Sequence, residues 1–275
     1  MQTLTFIPSG GLANRMRSIA SAVNLSQHTG LQVNIVWFND WGLRARFQDI
    51  FEPIPQPEIS LCECNLIDKF TVDRARRKNF YIPSIYQHLV FDRIITEKQV
   101  ASLRNQGFDF ETWALKGRRP YMSCYDVFGW FSDYDLLVRQ LFTPVRVIRD
   151  QIKAVTDRFT THTIGMHIRR TDNIDSIRNS PIEKFLDTAD RELAETPSTT
   201  IYLATDDEPT KHIFRQRYGQ HVITPEAQAS RQSLEGIRDG IVDMWALAST
   251  DIIYGSCGSS FSKMASSIGG IDVVL

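Results

Sequence analysis

Four short stretches combine residue types that could do chemistry. Gly10-Gly11-Leu12-Ala13-Asn14-Arg15 sits between a β-rich run and a helix-periodic run. Glycines there let backbone approach a ligand closely, and a helix N-terminus favours an anion. A plain tight turn would use the same residues. His167-Ile168-Arg169-Arg170-Thr171-Asp172 ends an apolar run. Positions two apart on a strand share a face, so His167 and Arg169 are expected to point the same way. Arginine presents a planar fork that matches phosphate bidentately, and Arg170 is expected to pair with Asp172 to hold the loop. The competing reading is a surface ion-pair cluster.

Ala204-Thr205-Asp206-Asp207 ends another such run, with Pro209 opening the next helix. Two adjacent carboxylates on extended backbone point apart, and no histidine or third acid accompanies them. Capping the helix or orienting Arg170 is the economical use, and no metal site is expected. Gly258-Ser259-Ser260-Phe261-Ser262 precedes the helical stripe Phe261, Met264, Ala265, Ile268. Small residues at a helix start make an anion nest, or simply a cap. Together these residues suit a diphosphate. Neither the GxxxxGK[ST] phosphate loop nor the GxGxxG dinucleotide turn is present.

The elements that must position these residues follow from periodicity. Thr3–Ile7 reads as a strand; Leu12, Met16, Ile19, Ala20 and Val23 read as a helix stopped at Gly30; and Leu31, Val33, Ile35 and Trp37 alternate as a strand. Strand-like runs recur at Thr163–Ile168, Thr200–Ala204, His221–Ile223, Asp251–Tyr254 and Asp272–Leu275. Between them, Ser180-Pro181-Ile182-Glu183 has the pattern of a capping box. Leu234, Ile237, Ile241, Met244 and Leu247 form a buried stripe on a helix over Ser233–Ala248. Alternating strands and helices predict an α/β chain with doubly wound parallel sheets, whose ligands bind beyond the strand carboxyl ends. Residues 50–150 resist ordering. FEPIPQPEI reads as loop, and Asp73–Lys78 (DRARRK) reads either as a solvated basic face or as a wall of an acceptor site.

Bulk properties narrow the partners. The 275 residues are 42% hydrophobic and 23% charged, with a net charge of -1. No global field steers the chain to nucleic acid or acidic membranes. No run reaches the roughly 18–20 apolar residues that span a bilayer, and no signal peptide is visible. Cys62, Cys64, Cys124 and Cys257 lack metal-ligand spacing and suit a reducing, cytoplasmic setting. Length and the break after Pro144 suggest two domains, 1–150 and 151–275.

In this order, GGLANR, HIRRTD, LATDD and DMWALASTDIIYGSCGSSFS resemble the fucosyltransferase superfamily. That superfamily spans α1,2-, α1,6- and protein O-fucosyltransferases and the rhizobial Nod-factor enzyme. The likeness covers residues 9–40 and 163–270 and hardly touches the middle. It implies a GT-B fold: two Rossmann-like domains facing across a cleft, the first on the acceptor side and the second binding the donor. It also implies GDP-fucose as donor, a carbohydrate acceptor, inversion at the sugar and no required metal or cofactor. By that resemblance Arg169 binds the β-phosphate, Asp243 the guanine edge, and Ser260, Phe261 and Ser262 the phosphate region. His167, Arg170 and Asp206 line the donor site, and Asn14 faces the cleft. One departure is visible. Where the α1,6 branch has a lysine after the motif aspartate and a glutamate further on, this chain has Asn173 and Ile177. Asp175 is the nearest acid and the expected base. Other readings are a GT-B transferase for a different nucleotide sugar, a non-catalytic nucleotide- or glycan-binding protein, and a purely structural α/β domain.

For Asp243 itself, an acid close to a buried helix face needs a partner. Guanine, with two adjacent N–H donors, would supply one; Arg238 is the alternative.

Overall fold

The computed structural model describes residues 2–72, 81–170, 174–226 and 230–275. The basic stretch Asp73–Lys78 and the motif residues Thr171, Asp172 and Asn173 lie outside the described residues, as do the side chains of 174–176, Asp175 among them. The chain divides into two compact units, Met1–Thr143 and Pro144–Leu275.

The first unit holds β1 (Thr3–Pro8), α1 (Leu12–Thr29), β2 (Gln32–Trp37), β3 (Ile59–Glu63), α2 (Asp68–Thr71), α3 (Tyr81–Val90), β4 (Arg93–Ile95), α4 (Glu97–Asn105), α5 (Phe110–Leu115), β5 (Pro120–Cys124) and α6 (Tyr134–Leu141). Its five strands run in the order β3-β2-β1-β5-β4, every neighbouring pair parallel. The expected opening βαβ unit is present, and Gly30 ends α1 in the left-handed conformation with φ 70°. The proline-punctuated stretch is loop until Ile59, where β3 begins.

The second unit holds α7 (Arg146–Thr156), β6 (Thr163–Ile168), α8 (Ile174–Asn179), α9 (Ile182–Glu195), β7 (Thr200–Thr205), α10 (Glu208–Tyr218), β8 (Val222–Ile223), α11 (Leu234–Ala248), β9 (Ile252–Gly255), α12 (Ser260–Gly269) and β10 (Val273–Val274). The sheet order is β10-β9-β6-β7-β8, again all parallel. Every residue of β6 and β7 is buried. Strands covered on both faces read as continuous apolar runs, which is why they stand out in the sequence. Ile164, Met166 and Ile168 pack with Ile201, Leu203, Phe185 and Phe214 into one core cluster. Among the described residues no helix is long and apolar enough to cross a membrane.

One expectation is corrected. Ser180 and Glu183 do not form a capping box: α9 starts at Ile182 with no side-chain cap. The Ser180 hydroxyl accepts instead from the backbone N–H of Cys257 at 2.7 Å. That long-range bond satisfies a loop donor at the end of β9, and a buried hydroxyl has capacity for few such bonds.

Candidate functional site

The carboxyl ends of β6, β7 and β9 bring the second unit's motif residues together. Ser256, the first residue after β9, fixes the end of β6 through its hydroxyl. It accepts from the Arg169 N–H at 3.0 Å and donates to the His167 carbonyl at 3.2 Å, while its own N–H donates to that carbonyl at 3.0 Å. Arg169 is therefore aimed by its backbone. Arg170 is held from the other side, its N–H donating to Asp206 Oδ1 at 2.8 Å. Its Nη1 reaches the Ile177 carbonyl at 3.4 Å, and its buried Nη2 has no hydrogen-bond partner among the described residues. Asp206 and Asp207 do point to different tasks. Asp207 caps α10, accepting from Thr210 N at 2.9 Å and Thr210 Oγ1 at 2.6 Å.

His167 joins this edge to α12. Its Nδ1 lies 2.7 Å from Ser262 Oγ and 3.4 Å from Ser259 Oγ, and its ring stacks on Phe261 with centroids 4.8 Å apart. Burial, reinforced by the Arg169 charge, pushes its pKa down to about 4, against the smaller opposing pull of Asp206. The imidazole is neutral at physiological pH, and its ring nitrogens act as one donor and one acceptor. Close packing here requires Gly255: a Cβ would stand 2.6 Å from Ser262 Oγ. Ser259 is the N-cap of α12 but makes no capping bond with its side chain. Ser260, Phe261 and Ser262 thus begin a ten-residue helix beside His167, whose ring feels the charge of Arg169, an arrangement able to receive an anion.

Asp243 lies in α11, 6% exposed. Its bonded partner is Tyr202 of β7, whose hydroxyl donates to Oδ1 at 2.5 Å. The alternative partner, Arg238, is not the one bonded to Asp243; this neutral donor is, since Tyr202 lies on the strand packed against the helix. Burial raises the Asp243 pKa to about 7, opposed by the Tyr202 hydrogen bond and by the positive charge of Lys211. Lys211 is itself buried, donating to the Pro225 carbonyl at 2.9 Å and pairing with Glu208 at 3.3 Å. The roles of Ser256, Tyr202 and Lys211 are not visible in the sequence, and Ser180 is read there as a helix cap. A lone tyrosine inside the apolar run Thr200–Ala204 was the available signal for one of them.

In the first unit the glycine turn is built from within. Gly10 takes φ 85°. Arg15, fully buried, folds back under the turn: Nε donates to the Gly10 carbonyl at 3.0 Å, Nη1 to the Phe38 carbonyl at 2.5 Å and Nη2 to Asp40 Oδ1 at 3.1 Å. Its guanidinium lies 4.7 Å over the Trp37 ring. Desolvation lowers its pKa to about 10 against the pull of Asp40, which leaves it charged. Asn14 Oδ1 beside the turn is buried with no hydrogen-bond partner among the described residues. The Glu97 carboxylate also lies at this edge. Ser9 Oγ donates to Glu97 Oε2 at 2.5 Å, and the Glu97 N–H donates to Ser123 Oγ at 3.1 Å.

Among the described residues no group of three or more His, Cys, Asp or Glu is arranged to hold a metal ion.

No family model and no curated protein sequence matches the chain. Solved structures do. The NodZ α1,6-fucosyltransferase, known from Bradyrhizobium and soaked with GDP-fucose, aligns with a TM-score of 0.67 at 16% identity, over 97% of this chain and 92% of that one. A variant of Arabidopsis thaliana FUT1 in complex with GDP aligns with 0.60 at 13% identity, over 99% and 70%. POFUT1 in complex with GDP aligns with 0.60 at 11% identity, over 99% and 98%. With its two parallel five-stranded sheets and flanking helices, the chain has the fold of the GT-B fucosyltransferases.

Proposed function

We propose that the protein is an inverting glycosyltransferase that moves fucose from GDP-fucose to a carbohydrate acceptor without a metal ion. In this reading 1–150 serves the acceptor and 151–275 the donor. The observation that carries it is the convergence at the end of β6. Arg169 is pinned through Ser256, and a neutral His167 is stacked on Phe261 and bonded to Ser262 at the start of α12. Arg169 and the α12 start stabilise the charge that grows on the departing diphosphate; one such contact contributes on the order of 10²–10³ in rate. Arg170 and Asp206 hold the loop, and Asn14, whose Oδ1 has no partner among the described residues, hydrogen-bonds substrate. The NodZ structure soaked with GDP-fucose and the POFUT1 structure with GDP support this choice of donor. Four reduced thiols support a cytoplasmic setting.

Guanine is read by Asp243: with Tyr202 already donating to Oδ1, the remaining lone pairs of the carboxylate accept from two adjacent N–H groups that uracil does not offer. Calorimetry with GDP, UDP and ADP tests this. GDP should bind most tightly, and Asp243→Ala should weaken it at least about tenfold. Equal affinity for UDP, or full GDP affinity in the variant, overturns the guanine assignment.

Asp175 is the proposed base that takes the acceptor hydroxyl proton. Turnover of Asp175→Asn at the wild-type rate removes it, and Glu97 is then the next acid to replace. The second reading, a non-catalytic nucleotide- or glycan-binding protein, is favoured by Ile177, where the α1,6 branch carries a glutamate. GDP binding with no sugar release, to water or to any acceptor, would establish it.

A further inference from the structure

A pocket of about 620 Å³ opens in the first unit, away from the motif residues. One wall is a single face of α1: Ser21, Asn24 and His28 follow one another at helical spacing. The facing loop is tied to that helix by side chains. The Phe128 N–H donates to Ser21 Oγ at 3.0 Å, and Asn24 Nδ2 donates to the Trp130 carbonyl at 2.7 Å. Between these two anchors Gly129 takes φ 78°, and a Cβ there would meet nothing, so glycine is required for its conformation. Two buried polar residues thus fix the backbone that carries an indole 69% exposed. An indole carried on a fixed backbone at a pocket wall is placed to meet a ligand.

The rest of the pocket says what the indole is for. The His28 ring lies 6.4 Å from it, and His28 Nδ1 is 2.9 Å from Glu111 Oε1. Asp109 uses Oδ1 to cap α5 through Thr112 N at 2.9 Å, and its side chain remains exposed. Two carboxylates repel a phosphate, and the one arginine of the lining, Arg104, is paired with Asp126 at 3.0 Å. A pyranose suits this set: its C–H face stacks on the indole, and its hydroxyls donate to the carboxylates. The volume lies in the range of small-ligand sites.

We infer that this pocket binds a neutral saccharide, stacked on Trp130 and hydrogen-bonded to Glu111 and Asp109. The inference does not rest on the donor reading of the second unit.

Saturation-transfer NMR on the full chain tests it with neutral tetrasaccharides of glucose, N-acetylglucosamine, mannose and xylose, and with arginine methyl ester as a cationic control. At least one saccharide should receive saturation at its ring C–H protons. Trp130→Ala should weaken that binding about tenfold or more, with an unchanged melting curve, and Trp130→Phe should retain most of it. No transfer to any of the four saccharides overturns the inference. So does transfer that persists in Trp130→Ala, or binding of the arginine ester alone.

Discussion

Each unit carries an arginine in the motif that follows its strand, one fully buried and the other half-buried. Arg15 spends its whole guanidinium on the protein: two carbonyls, one carboxylate and a tryptophan face. Arg169 is held through its main chain by Ser256, and its side chain is half-buried at the edge. The first arrangement braces the glycine turn; the second fixes the backbone at the end of β6. The residue type is the same but the setting is not: Arg15 lies within α1 and is fully buried, whereas Arg169 directly follows β6 and is half-buried.

The sharpest way to break this contrast is to remove each arginine. Arg15→Ala leaves Asp40 and two carbonyls without their buried partner, and it should lower stability by about 3–5 kcal/mol. Arg15→Lys should recover little, because a point charge does not span three acceptors. Urea denaturation followed by circular dichroism measures both, and a loss under about 1 kcal/mol would contradict the scaffold role. Arg169→Ala should instead melt like wild type while donor turnover falls on the order of 10²–10³. Near-normal turnover by the folded variant would erase the distinction.

A subtler test uses pH within the second unit. His167 has its pKa depressed to about 4 from 6.5, so the unfolded chain takes up its proton first. Its contribution is complete above about pH 6.5 and is lost as pH falls through about 4, worth on the order of 3 kcal/mol. Asp243 has the opposite sign. With a pKa raised to about 7 from 3.8, its contribution is complete below about pH 4 and is lost as pH rises through 7. Denaturation between pH 4 and 8 should show Asp243→Asn gaining on wild type as pH rises, and His167→Gln losing less than wild type as pH falls. Parallel curves for all three proteins would contradict both assignments.

The second unit's strands are readable in sequence because full burial makes them unbroken apolar runs, and the strand-end residues follow directly. Asp206 and Asp207 could be separated because adjacent residues on extended backbone diverge. The middle of the first unit is opaque for a physical reason: β3 and β4 are largely half-buried, so neither makes the unbroken apolar run of a strand covered on both faces. Local rules also mislead where a distant partner competes. Ser180 has every sign of a helix cap, yet the Cys257 N–H, 77 residues on, claims its hydroxyl. The same limit hides the partner of Asp243, since nothing local to α11 reveals the tyrosine on β7.

The bond between His167 and Ser262 spans 95 residues, and that between Arg169 and Ser256 spans 87. Contacts of such separation incur the loop-closure entropy early and are rewarded late, which slows folding. During synthesis β6 and β7 can pair long before β9 and α12 emerge from the ribosome. A nascent chain of this protein therefore passes through a stage with half of its second sheet in place and His167 without its serine. Nucleotide is expected to bind only once α12 has docked, so ligand capture by stalled nascent chains would time the closing step of folding.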